Sequence, residues 1–292
     1  MNAAGRIAVF AIGLLVVFAG AAAAGALVEP ADTETDAAHG GGHAEDTHSA
    51  AVDDEQLTPA GLAISEGGYT LRLAPTQLRR GEARELRFSI ADPEGEPVAE
   101  FDELHERRMH LILVRRDGTG FRHLHPEMGE AGTWTVPVTL PDPGAYRVFA
   151  DFSVSGEQRT LATDLFVSGG DFGARPFPPA SPRASIDGYE VRLHTDEPRA
   201  AEPTSLTFAV DRGGEGVDDL APYLGAKGHL VALREGDLAF LHVHPVEAGG
   251  GEAANEIAFE AIFPTAGRYR LYLQFKHGGT VRTAEFTVEV PQ

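Results

Sequence analysis

The feature that most limits what this chain folds into is an internal repeat. "GGYTLRL" from Gly67 returns as "DGYEVRL" from Asp187, and "LRFSI" from Leu86 as "LTFAV" from Leu206. "MHLILVRRDGTGFRHLHP" from Met109 aligns without a gap to "GHLVALREGDLAFLHVHP" from Gly228. "PGAYRVFADF" from Pro143 matches "AGRYRLYLQF" from Ala266. A motif that occurs twice in the same order is a module that folds as a unit. The chain is therefore read as residues 67–168 and 188–290, joined by a Pro- and Gly-rich linker at 169–187.

Inside each copy apolar residues alternate with polar ones. Tyr69, Leu71 and Leu73 alternate with Thr70 and Arg72, and Tyr269, Leu271 and Leu273 repeat the pattern. Period two over five to seven residues means half-buried strands. Gly, Pro and Asp turns separate them. The fold class is all-β: two tandem immunoglobulin-like β-sandwich domains after an N-terminal transmembrane or signal helix and a disordered tether. Tyr146 and Tyr269, each after a Gly-containing corner, fit a tyrosine corner, and Trp134 fits the core.

Ahead of the repeats, Ile7 to Val28 is apolar and uncharged. A bilayer span takes about 20 such residues, so 1–28 reads as a signal anchor or a cleaved signal peptide. Both place the rest of the chain outside the cytoplasm. Residues 29–66 read as an acidic, disordered tether carrying His39, His43 and His48. The net charge of -20 argues against nucleic acid as a partner. The absence of cysteine excludes disulfides, thiolate metal sites and a cysteine nucleophile.

The chemistry-bearing residues are histidines. His110, His123 and His125 occupy the same columns as His229, His242 and His244. In "HLH" and "HVH" the two imidazoles lie at i and i+2 on a strand, hence on one face. With Asp117-Gly118 as a two-residue hairpin turn, His110 faces His125 and lies diagonal to His123. With Gly236-Asp237 as the turn, His229 faces His244. Three convergent imidazoles suit Cu(II), Zn(II), Ni(II) or Fe, with copper first by affinity order. Met109 neighbours His110 on the strand and points the other way, so His105 is the better extra ligand. The opposing expectation is that the rings are structural, bonded to backbone carbonyls. The chain shows no phosphate loop and no G-x-S-x-G elbow, and no catalytic residue is assigned.

The repeated His-x-His-Pro strand after an apolar hairpin partner resembles a group of bacterial extracytoplasmic immunoglobulin-like proteins, described as YtkA-like or heavy-metal-associated. That resemblance implies a copper-handling context and candidate ligands His105, His110, His123, His125, His229, His242 and His244. The second copy departs from the first at Leu224 and Gly228, where the first has His105 and Met109. The reading is then a membrane-anchored or secreted protein binding copper, or else zinc, in metal tolerance or delivery. A protein partner outside the cytoplasm is compatible with it. The alternative is an immunoglobulin-like structural or interaction module with no metal role.

Overall fold

The computed structural model describes residues 59–241, 243–246 and 253–292. The expected membrane or signal segment, most of the tether and His242 lie outside the described residues. Among the described residues no helix is long and apolar enough to cross a membrane.

Each repeat is an immunoglobulin-like sandwich. In the first, one sheet runs Ser65–Glu66, Tyr69–Ala74, Arg84–Ala91, Trp134–Val138, Glu127–Met128. The other runs Gln77–Arg79, Glu157–Ser168, Gly144–Val154, His110–Arg115, Arg122–Leu124. All pairings are antiparallel except that Gln77–Arg79 runs parallel to the end of Glu157–Ser168. The second repeat has one sheet of Arg183–Ile186, Tyr189–Thr195, Pro203–Arg212, Glu256–Ile262 and Val243–Pro245, with Glu215–Gly216 beside it. Its other sheet is Phe240–Leu241, Gly228–Arg234, Gly267–His277, Thr280–Val290.

The alternation expected for the strands is what fills each core. Leu71, Leu86, Phe88, Leu111, Leu113, Trp134, Val148 and Phe152 close the first, and Val191, Leu206, Phe208, Leu230, Leu271 and Phe286 the second. Both tyrosines make the corner bond. Tyr146 Oη donates to Asp142 O at 3.0 Å and Tyr269 Oη to Thr265 O at 2.8 Å.

One run does not alternate. All six residues of His110–Arg115 are buried. Leu111 and Leu113 face their own core, while Ile112 and Val114 face the other repeat. There they meet Val231 and Leu233, with Phe121, Phe149, Leu238, Phe240 and Tyr272, in a third apolar cluster. Phe121 and Tyr272 stack with ring centroids 4.1 Å apart, and Tyr272 Oη donates to Gly118 O at 2.8 Å. The two sandwiches thus share a seam built from equivalent faces. Phe121 and Phe240 occupy one alignment column, Phe149 and Tyr272 another.

Two boundaries differ from expectation: the linker was expected to run to residue 187, yet Arg183–Ile186 is already a strand paired with Tyr189–Thr195. The expected tether ran to residue 66, yet its end is ordered. Ala60 bridges Phe240, Gly61 N donates to Thr160 O at 3.0 Å, and Ser65–Glu66 pairs with Tyr69–Ala74. Backbone bonds hold this stretch, since Leu62 and Ile64 stay exposed: Ala162 N donates to Ala63 O, Leu71 N to Ile64 O, and Arg147 donates to Gly61 O and Leu62 O.

Candidate metal centre

The hairpin geometry decides where the histidines go. In the first repeat the strands pair Leu111 with Leu124, Ile112 with His123 and Leu113 with Arg122, the expected register, which carries His110 opposite His125. The turn itself differs from the expected two-residue form. Gly118 N donates to Arg115 O and Arg115 N to Thr119 O, both at 2.8 Å, with Gly118 and Gly120 at positive φ. The second positive-φ glycine restores the register that the first displaces. A buried bidentate pair, Arg115 to Asp117, braces the turn at 2.5 and 2.9 Å.

Four of the seven candidates come to one place with their side chains described in contact. Ring centroids are 5.1 Å apart for His110–His123, 5.3 Å for His110–His125 and 4.8 Å for His123–His125. His229 of the second repeat joins them, 4.9 Å from His123 and parallel to His110 at 5.8 Å. His105 stands beside this set, 6.1 Å from His110 and 5.7 Å from His229. It sits with Glu106 at positive φ in the turn Leu104–Arg107, which is closed by bonds of 2.7 and 3.0 Å between the end residues. The second repeat makes the same turn with Leu224-Gly225. A left-handed His105 is costly backbone, held here by the closed turn.

His244 goes elsewhere. The second hairpin begins in the expected register, with Ala232 opposite Leu241 and Leu233 opposite Phe240. From Val243 the chain leaves for the other sheet, pairing His244 with Glu260 and Pro245 with Phe259. His244 is exposed there and does not face His229. The first repeat makes this crossover later, at Glu127–Met128, so His125 stays over His110. Met109 is buried in the first core, away from the rings. His194 is exposed, and His277 bonds Tyr189 Oη at 2.6 Å and Asp219 at 2.8 Å.

Hydrogen bonds fix how the rings are presented. His110 Nε2 donates to Leu104 O at 2.8 Å, which leaves its Nδ1 as a lone pair. His123 Nδ1 donates to Gln274 Oε1 at 2.6 Å, which leaves its Nε2 as a lone pair. Those two bare nitrogens lie 2.9 Å apart. His125 Nε2 is buried and has no hydrogen-bond partner. One nitrogen from each of His110, His123 and His125 lies within 4.8 Å of the others. Lone pairs aimed at one another repel unless a cation lies between them. Burial works against that cation being a proton. It holds His123 and His229 well below the ordinary histidine range, and the neighbouring histidines, which would repel a second positive charge, add to it. His110 is lowered chiefly by burial, and His125 is lowered to about 4 by burial, then by His110 and Arg107. Carbonyl and amide acceptors behind the imidazoles are the arrangement that orients histidines toward a metal.

Gln274, which holds the far nitrogen of His123, carries no signal in the repeat pattern, because its counterpart in the first repeat is Asp151. The register shows why the column matters. Gln274 pairs with His229 and Asp151 with His110, each opposite the first histidine of the motif. Asp151 turns to Gln158 and Thr160, with Thr160 Oγ1 at 2.8 Å.

Similar solved structures include the Escherichia coli adhesin FdeC, at 14% identity over 79% of this chain and 66% of that one, with a TM-score of 0.27. The Yersinia pseudotuberculosis adhesin InvE matches at 12% identity over 78% of this chain and 60% of that one, with a TM-score of 0.24. Invasin, a bacterial integrin-binding protein, matches at 13% identity over 76% and 39%, with a TM-score of 0.23. The chain thus spans under two thirds of the length of the adhesins it resembles. No curated protein matches the sequence. The family model that matches carries no copper context, and it matches twice, over residues 63–169 and 184–292. The chain belongs to the family described as a domain of unknown function (DUF8832), in two tandem copies.

Proposed function

We propose that this protein binds a transition-metal ion, copper before zinc, through His110, His123 and His125, outside the cytoplasm. The observation that carries this reading is the pair of bare nitrogens on His110 and His123, 2.9 Å apart, with the orphan His125 Nε2 beside them. The donor set is all imidazole. With Met109 in the first core, Met128 packed against it and no cysteine in the chain, no soft sulfur is offered among the described residues. That favours Cu(II) and Zn(II) over Cu(I). A role in metal tolerance or delivery, anchored or secreted through residues 1–28, follows from the same reading.

The second reading is a structural or interaction module with no metal role. The adhesin and invasin names of the similar structures lean toward it rather than toward metal. It also has a chemical form. If the Gln274 amide is turned over, its NH2 donates to His123 Nδ1 and His123 Nε2–H donates to His110, and two neutral imidazoles are satisfied without a cation.

Calorimetric titration of the full chain with Cu(II) and with Zn(II) separates the two. The comparisons are His110→Asn/His125→Asn and a tether variant with His39, His43 and His48 changed to Gln. Metal binding tighter than about micromolar that survives the tether changes and is lost in the double variant supports the centre. Absence of binding in the tether variant overturns it and leaves the interaction module.

A further inference from the structure

We infer that the ion is shared between the two sandwiches: His229 of the second repeat completes the centre, with Gln274 of the same repeat orienting His123, so that metal loading clamps the seam. This inference rests on the metal reading above.

The argument starts from spacing. Two imidazoles on one tetrahedral ion, with metal–nitrogen bonds of about 2.0–2.1 Å, place their ring centroids roughly 5 Å apart. The three first-repeat rings are already at 4.8 to 5.3 Å. His229 is at 4.9 Å from His123 and 5.8 Å from His110. As placed, its nitrogens are not among the ligand atoms that lie within 4.8 Å of one another, so joining the ion requires its ring to turn about the side-chain torsions. A three-imidazole set leaves one tetrahedral position to fill, and His229 is the described imidazole nearest to it.

The second observation is independent of His229. The acceptor on His123 is supplied across the seam, from Gln274 at 2.6 Å. The first repeat alone therefore lacks both the fourth nitrogen and the group that fixes the tautomer of the second ligand. Directly alongside, the seam is sealed by apolar residues and by the bond from Tyr272 to Gly118. An ion held by both sides would add a coordinate link to a seam otherwise held by apolar packing and hydrogen bonds.

The test uses the full chain carrying the tether changes, with Zn(II) as the probe and Co(II) for its absorption spectrum. Affinity, and hydrogen exchange of the strands at residues 110–115 and 228–234, are measured for the parent, His229→Ala and His229→Asn. Circular dichroism establishes that each variant is folded, and the Asn variant stands in if the Ala variant is not. The expected result is a loss of affinity at least as large as the roughly 10- to 100-fold that removal of an outer-shell partner costs. The Co(II) spectrum changes, and Zn(II) no longer slows exchange in 228–234. Gln274→Ala weakens binding by about 10-fold or more. Unchanged affinity and spectrum in folded His229 variants would overturn the shared centre while leaving metal binding by the first repeat intact. No binding by the parent would remove both readings together.

Discussion

The two repeats begin with the same motif and end with different chemistry. Both hairpins start in equivalent register, and both place their first histidine on the seam face. The first then keeps Arg122–Leu124 beside His110–Arg115, and His125 stays in the cluster. The second releases its strand after Leu241, and His244 leaves for the opposite sheet. Identical spacing in sequence therefore does not give identical sites. Where a strand crosses from one sheet to the other decides which imidazoles meet.

That comparison is open to direct attack. The largest effect is expected at the seam that both repeats build. Tyr272→Ala removes a fully buried ring and should destabilise the chain by about 3–5 kcal/mol in urea unfolding, with Phe149→Ala similar, because both leave aromatic-sized cavities. A small effect for either would mean the two faces are not equivalent in energy. Next comes metal affinity. His125→Ala should weaken Zn(II) binding by about 100-fold, on the order of 2.7 kcal/mol, while His244→Ala stays within about twofold. Equal losses in titration would erase the distinction between the repeats.

Acid is the third lever. The clustered histidines of the metal-free folded chain have lowered pKa values, so the unfolded chain binds more protons between about pH 6.5 and 4. Stability is therefore fully present above about pH 6.5 and falls with pH through that window. Urea midpoints measured at steps of pH should show the slope, and His229→Asn should flatten it. The smallest effect is expected at the Leu104–Arg107 turn. Glu106 holds a φ of 62° where the second repeat has Gly225 at 83°. Glu106→Gly should stabilise by about 0.5–1 kcal/mol, since glycine relieves left-handed strain of about 1–2 kcal/mol at a smaller entropic cost. A thermal melt reads this out, and a drop in stability would mean the Glu106 side chain does more than accept the turn.

Much of the fold was legible from the residues. The repeat, the strand alternation, the tyrosine corners and the hairpin register all follow from local pattern, and local pattern is what strands obey. The seam was not, although its signal was present: His110–Arg115 and Gly228–Arg234 fail to alternate, as a strand covered on both faces does. The grouping of His110, His123 and His125 followed from register, and the structure places them as that register requires. The arrival of His229 depended on packing between repeats, which no spacing within a repeat encodes. Gln274 was hidden because its column reads Asp in one copy and Gln in the other.

The seam joins equivalent faces, and so it has the form of a two-fold dimer interface drawn within one chain. In a true homodimer every change appears twice, and a centre on the axis must be built from matched residues. Covalent linkage lifts that restriction. One half can carry His105 and Asp151 while the other carries Leu224 and Gln274, and a lopsided site can form on what is otherwise an axis of symmetry.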